Sequence, residues 1–323
     1  MLARADSFAV PAPSAVPTAP FPGWARAKNP PETEAEAAFL VGAALARLDP
    51  IVRENPPWAG VWRRRLALRA AAATVARAGR NEDETALRDA LHLTRPGADS
   101  GPAGRRLRAW RALAAGSAGP WRSTVAVAAA ALDARAVEGL PQAIDAAAAC
   151  AEGHRPAPFA AARAYQHATR ALTADRGRGG GGELLAAWLA DAVLAQRLKW
   201  PFALPLLAAP LFASAGRRAP SDSGDGAETA RVLCAYANAA AHACDLAAEL
   251  GRRASKLAEA APKLRAKGAK AALQALLDED SLAAATPIAG LSERGTRRLF
   301  ERLAALGAIR ELTGRATFRL YGL

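Results

Sequence analysis

The chain has 323 residues, 51% of them hydrophobic and only 6% aromatic, with 43 Lys and Arg against 30 Asp and Glu for a net charge of +13. That length allows two domains, and an apolar fraction of one half supports a true core, which excludes a wholly disordered polyelectrolyte. Three cysteines, Cys150, Cys234 and Cys244, suit free buried thiols in a reducing, cytoplasmic setting and exclude a disulfide framework.

Alanine dominates the apolar fraction, and Ala, Leu and Arg are strong helix formers, so the expected fold class is all-α. Residues 1–33 hold Ala9-Val-Pro-Ala-Pro-Ser-Ala-Val-Pro-Thr-Ala-Pro20 and Pro30-Pro31, which read as an extended, disordered Pro/Ala-rich arm. The arm lacks the basic start and continuous apolar stretch of a signal peptide. An Ala-rich helical body is expected over 34–250. Helical periodicity runs over 33–48, 58–78, 83–93, 103–115, 122–137, 141–150, 158–173, 183–198 and 227–250, with a broken apolar run at 201–215.

Three joints interrupt the body. The stretch Arg95-Pro-Gly-Ala-Asp-Ser-Gly-Pro-Ala-Gly104 is rich in glycine, yet it lacks the Gly-Lys-Ser/Thr ending of a P-loop and follows no strand, so it reads as a loop. Residues 176–182 read as a flexible tip and 216–226 as a disordered loop. No membrane span is expected. The run 184–198 contains Asp191 and Arg197, and 202–215 is broken by Pro205 and Pro210, against the roughly 20 apolar residues a bilayer needs.

No catalytic or metal signature emerges, and no cofactor is expected. Cys234, His242 and Cys244 share one expected helix, where Cys234 and Cys244 would differ by about 80° and about 15 Å, too far for one tetrahedral ion. His92, His154 and His167 stand alone, without the partners of a triad. The carboxylates Asp89, Asp133, Asp145 and Asp191 are scattered as caps or ion pairs would be.

The excess charge is concentrated. Residues 51–122 carry a net +8 and residues 251–323 a net +7, while the rest of the chain is close to neutral. The first block includes Trp62-Arg63-Arg64-Arg65, Arg69, Arg105, Arg106, Arg108 and Arg111; Arg63, Arg64, Arg105, Arg106 and Arg108 form a candidate secondary basic surface. Concentrated cations suit a polyanion, because each neutralised phosphate releases counterions. The alternative is that these arginines lay their stems over helix faces with heads in water. The tryptophans among them could stack on bases but are expected to be core anchors.

The C-terminal block has the clearest reading. After a linker over 251–262, residues 263–323 are expected to form a winged-helix domain: a helix-turn-helix plus a short β-hairpin. A first helix is expected over Leu264–Leu277 and a short second one over Ser281–Ala285, with Ser292 capping a third. On that third helix Thr296, Leu299, Leu303 and Leu306 form the inward stripe, with Phe300 at its edge, and Gly307 supplies the C-terminal cap. Arg294, Arg297, Arg298 and Glu301 fall on the opposite face. Residues 309–312 and 316–321 alternate as strands around a tight Thr313-Gly314-Arg315 turn. The expected DNA-binding set is Arg294, Arg297, Arg298 and Arg302 on the recognition helix, Arg315 at the wing tip, and Arg310 and Arg319 on flanking phosphates.

Three sets of residues resemble an uncharacterised bacterial family known as domain-of-unknown-function family 1403. They are Ala37-Ala-Phe-Leu-Val-Gly-Ala-Ala-Leu45 with Pro56-Pro57-Trp58; Leu87-Arg-Asp-Ala-Leu-His-Leu-Thr-Arg-Pro-Gly97 with Gly101-Pro-Ala-Gly104; and Arg310-Glu-Leu-Thr-Gly-Arg315 with Phe318-Arg-Leu-Tyr-Gly322. The resemblance covers nearly the whole chain and implies a bacterial, often plasmid-associated protein, with no catalytic residue to carry over. The C-terminal segment is also similar to the winged-helix tail of some Fic-domain proteins. Their catalytic His-Pro-Phe motif is absent, since none of the four histidines precedes proline, so AMP transfer is not implied.

The expected function is duplex DNA binding, as a transcriptional regulator or accessory factor of mobile or plasmid DNA, with a dimer suited to a palindromic site. Two other classes stay open. One is a scaffold whose winged helix docks a protein partner, and the other is an enzyme housed in the helical body.

Overall fold

The computed structural model describes residues 20–26, 31–95, 97–116, 121–132, 139–172, 181–213, 225–264, 266–315 and 317–323. Most of the expected arm, nearly all of the joints at 176–182 and 216–226, and Asp133 lie outside the described residues. Twelve α-helices and three short strands are described, and the chain divides into two compact units. One comprises residues 20–53 and 65–245, the other residues 54–64 and 246–323.

The larger unit is helical. It takes in α1 (Glu34–Glu54) up to residue 53, most of α2 (Ala59–Arg77), α3 (Glu84–His92), α4 (Gly101–Ala115), α5 (Trp121–Ala131), α6 (Leu140–Glu152), α7 (Ala157–Ala171), α8 (Gly181–Arg197), α9 (Ala208–Ala213) and the first part of α10 (Asp225–Ala260). Side-chain caps open two of these helices: Thr33 Oγ1 accepts the Glu36 N–H at 3.1 Å, and Asp83 Oδ1 accepts the Ala86 N–H at 2.8 Å. Helix α8 is buried on every side from Leu184 to Ala195, and α7 packs along it with α6 beside both. Enclosure by neighbouring helices accounts for its apolar surface. No described helix is long and apolar enough to cross a membrane.

Tryptophan fills this core as expected. Trp110 and Trp188 are buried, as is Trp200; the Trp110 indole donates to Thr74 Oγ1 at 3.2 Å and that of Trp200 to Asp49 Oδ1 at 2.8 Å. Trp24 is different, with 72% of its surface exposed. Asp191, in the middle of α8, is 1% exposed, and its carboxylate accepts the N–H groups of Leu206 at 3.0 Å and Leu207 at 3.2 Å. It thereby fixes the non-helical stretch, Pro205 included, that enters α9, and Pro210 lies in the first turn of that helix, where a missing N–H costs least.

The smaller unit contains the start of α2, the end of α10, α11 (Ala269–Asp278), β1 (Leu282–Ala283), α12 (Glu293–Ala305), β2 (Arg310–Glu311) and β3 (Leu320–Gly322). The strands form one antiparallel sheet in the order β1-β3-β2. Residues 54–64 join this unit through close backbone approach: a Cβ on Gly60 would lie 2.7 Å from the Asp278 Cα, and one on Gly251 would lie 3.5 Å from the Trp58 ring.

Several local expectations change here. The stretch 251–262 is helical rather than an open linker, since α10 runs to Ala260 and a 3-10 turn occupies Ala261–Lys263. Helix α11 starts at Ala269, five residues later than expected, with Gly268 in its N-cap position. A Cβ on Gly268 would lie 2.6 Å from the Ala289 carbonyl, so close packing explains this glycine. The short helix expected at Ser281–Ala285 is strand β1 with its turn. Leu282 faces Tyr321, Ala283 faces Leu320, and the Ala284 N–H donates to Arg319 O at 3.1 Å. Five residues ahead of Pro287 are too few to nucleate a helix, while the waiting edge of β3 satisfies their backbone.

Candidate functional site

Helix α12 is set by its cap and its phase. Ser292 Oγ accepts the Gly295 N–H at 3.2 Å, and the buried face consists of Thr296, Leu299, Phe300 and Leu303. Phe300, at the edge of that face as expected, is nonetheless fully buried, because its ring meets Tyr321 of β3 at 5.4 Å between centroids. Leu306, expected on the stripe, is 43% exposed, because the helix ends one residue before it. The end is a Schellman turn: Gly307 has φ +66°, its N–H donates to Ala304 O at 2.9 Å, and the Ala308 N–H donates to Leu303 O at 3.0 Å.

Opposite the buried face, Arg294, Arg297, Arg298 and Arg302 are all exposed. Arg297 sits one helical turn from Glu293 at 3.6 Å, in a pair so solvated that it contributes little. Arg302 donates to Lys263 O at 3.0 Å. Among the described residues, no ion pair or hydrogen bond engages the side chains of Arg294 or Arg298.

The strands beyond are shorter than the sequence pattern suggested, and the connection between them is longer than a tight glycine turn. Pairing stops where the Leu312 N–H donates to Leu320 O at 2.8 Å, leaving residues 313–319 as an excursion. Glu311 organises its first half: the carboxylate accepts the N–H groups of Thr313 and Gly314, both at 2.8 Å, and the Thr313 hydroxyl. Gly314 takes φ +64°, which glycine adopts without strain. Burial would raise the Glu311 pKa, but the Thr313 and Gly314 donors outweigh it and hold the carboxyl below the usual range. Sequence reasoning assigned Glu311 no role; its signal is an acceptor side chain two and three residues ahead of Thr-Gly.

Arg315 and Arg319 lie exposed on this excursion, with Arg319 Nε donating to Arg315 O at 3.3 Å. Arg310 is also exposed, but it bridges to Glu249 of α10 at 3.3 Å, a carboxylate that Arg253 contacts at 2.9 Å. The structure therefore brings all seven expected arginines to the surface of one unit, where Arg297, Arg302, Arg310 and Arg319 also have intrachain partners.

The five arginines of the secondary basic set are divided between the two units, and each is partly or fully buried. Arg63 and Arg64 belong to the smaller unit and sit beside acids: Arg64 lies 3.4 Å from Glu279, and Asp278 acts on Arg63, whose pKa burial lowers. Arg105, Arg106 and Arg108 belong to the larger unit. Arg106, expected on the surface, is only 6% exposed, because Ala103, Leu107 and Trp110 on its side of α4 turn inward. Arg105 pairs with Asp99 at 2.8 Å and Arg108 donates to Ser100 Oγ at 2.5 Å, so both fasten the joint ahead of α4. Trp58, Trp62, Trp110 and Trp121 are buried core anchors and offer no stacking face to a base.

Cys244 is buried and its thiol is pushed up to about 12 by burial, while Cys234 and Cys150 are half-buried. Among the described residues, no group of three His, Cys, Asp or Glu side chains is placed to hold a metal ion.

No curated protein and no solved structure matches the chain. One family model does, over residues 13–323, and with nearly the whole length covered the chain belongs to the family described as protein of unknown function (DUF1403).

Proposed function

We propose that the C-terminal elements form a winged helix that binds duplex DNA, with α12 as recognition helix and the β2–β3 excursion as wing. The observation that carries this reading is the pairing of topology with charge. Helix α11, strand β1, helix α12 and the β2–β3 hairpin follow one another with the sheet order β1-β3-β2, and the outward face of α12 and the hairpin both carry arginine. The turn at 284–291 stands where a short middle helix is common. Arg294, Arg297 and Arg298 then address the major groove, and Arg315 and Arg319 the phosphates or minor groove beside it. A transcriptional regulator or accessory factor of mobile DNA is the role this reading favours.

The test is fluorescence anisotropy of the full chain against duplex from around its own gene and against a scrambled duplex, across a salt series. Arg297→Ala with Arg315→Ala is expected to remove affinity while circular dichroism stays unchanged. An equally tight folded double variant would sink the proposal. Binding that salt erases and that ignores sequence would instead favour a protein partner on the same face.

A further inference from the structure

The larger unit contains a concave site that no part of the proposed DNA interface uses. Where α6 turns into α7, a cavity of about 410 Å³ lies between the two helices, within the range that accommodates small ligands. Its floor is made of small residues. Ala146, Ala149 and Gly153 come from α6 and its end, and Ala160 from α7, so the antiparallel faces leave a hollow that larger side chains would have filled.

The polar lining is one-sided. Arg163 and His167 follow Ala160 along one face of α7, and His154 and Arg155 come from the turn, all converging with Cys150. Sequence reading left His154 and His167 isolated; folding brings them into one wall. No carboxylate among the described residues lines the cavity. Among the described residues, no ion pair occupies the guanidinium of Arg155 or Arg163. The turn is braced from behind, because Arg197 of α8 donates to Arg155 O at 2.8 Å. Two permanent cations, Arg155 and Arg163, thus face a hollow whose described lining holds no group of opposite sign.

We propose that the α6–α7 cavity binds a small phosphate-type oxyanion, free or carried on a small molecule. Arg155 and Arg163 supply the charge and forked donors that match such an oxyanion, and His154 and His167 add donors at the rim. Cys150 is a lining group rather than a nucleophile. Burial pushes its thiol up, and the opposing pull of Arg163 and Arg155 does not reverse that.

Cys150 also provides a local reporter. Iodoacetamide labelling of the full chain, resolved by peptide mapping, is followed with and without millimolar pyrophosphate. Pyrophosphate is expected to slow alkylation of Cys150 and leave Cys234 unchanged. Arg155→Ala with Arg163→Ala is expected to abolish the protection and weaken calorimetric affinity by about ten-fold or more. Both arginines are exposed, so the fold should persist; Ala149→Glu, which places a carboxylate at the cavity, is a second variant expected to abolish protection. Absence of protection in the wild type, or equal protection in the arginine variant, overturns the proposal. Stronger protection by citrate than by pyrophosphate overturns the phosphate class. Glucose 6-phosphate binding more tightly than inorganic phosphate supports a carried phosphate, and equal binding supports the free ion.

Discussion

The Glu311 carboxylate accepts the Gly314 N–H at 2.8 Å, and this bond, with its neighbour from Thr313, sets the path of the chain toward Arg315. The folded carboxyl titrates below its ordinary value because the donors at Thr313 and Gly314 overcome its burial. A depressed folded pKa means that the stabilisation is present above the unfolded carboxylate value, about 4.3, and is lost as pH falls through the folded value. Amide exchange in the peptide spanning 312–319, corrected for intrinsic rate, should therefore rise only in acid. Glu311→Ala should remove protection at neutral pH, by roughly three- to ten-fold. A variant with unchanged exchange would mean that the excursion is shaped by its strands alone.

Asp191 gives the opposite sign. Burial raises its pKa well above the ordinary value despite the opposing N–H groups of Leu206 and Leu207 and the Tyr236 hydroxyl. The folded state then holds a proton that the unfolded chain releases near pH 4, so this group's contribution to stability falls as pH rises from there through the folded value. Asp191→Asn keeps an acceptor for the two amides and removes that slope. Urea midpoints at about pH 5 and about pH 8 should differ less in the Asn variant than in wild type, and Asp191→Ala should cost about 2 kcal/mol by stranding the amides. An Ala variant as stable as wild type would show that water replaces the carboxylate.

Gly60 tests how residues 54–64 join the C-terminal elements. Alanine there would place its Cβ 2.7 Å from the Asp278 Cα and 3.1 Å from the Leu277 carbonyl, contacts with backbone that cannot swing aside. The helix-propensity gain, at most about 1 kcal/mol, is set against about 1–3 kcal/mol of overpacking. The net expectation is a lower Tm, with loss of the Arg64–Glu279 contact. A Tm equal to or above that of wild type would show that the two segments separate without cost.

Legibility in the sequence followed the range of the interactions. Helix α12 was readable because its determinants are local: Ser292 at one end, Gly307 at the other, and a buried phase between them. Strand β1 was not, since Leu282 and Ala283 pair with residues almost forty positions away and five residues of sequence do not announce an edge. Arg106 read as surface charge because arginine usually is, and only the packing of α4 shows otherwise. The α6–α7 cavity was invisible for a related reason: Cys150, His154, Arg163 and His167 have no motif spacing, and they meet because two alanine-rich helices fold back on each other.

The proposed DNA contact makes a graded prediction. Arg294 and Arg298 are exposed, whereas Arg302 is held by Lys263 O and Arg310 by Glu249. A cation already engaged within the chain must give up that partner to neutralise a phosphate, so it releases less net free energy on binding. Arg294→Ala and Arg298→Ala should each weaken binding more than Arg310→Ala. Any of these residues that contacts phosphate should also flatten the slope of log K against log salt by about 0.9 when removed. A residue reading a base edge should instead narrow the gap between cognate and scrambled duplex by about 1–3 kcal/mol and leave the slope nearly unchanged. If all these variants match wild type in both affinity and slope, the arginine face of α12 does not contact DNA.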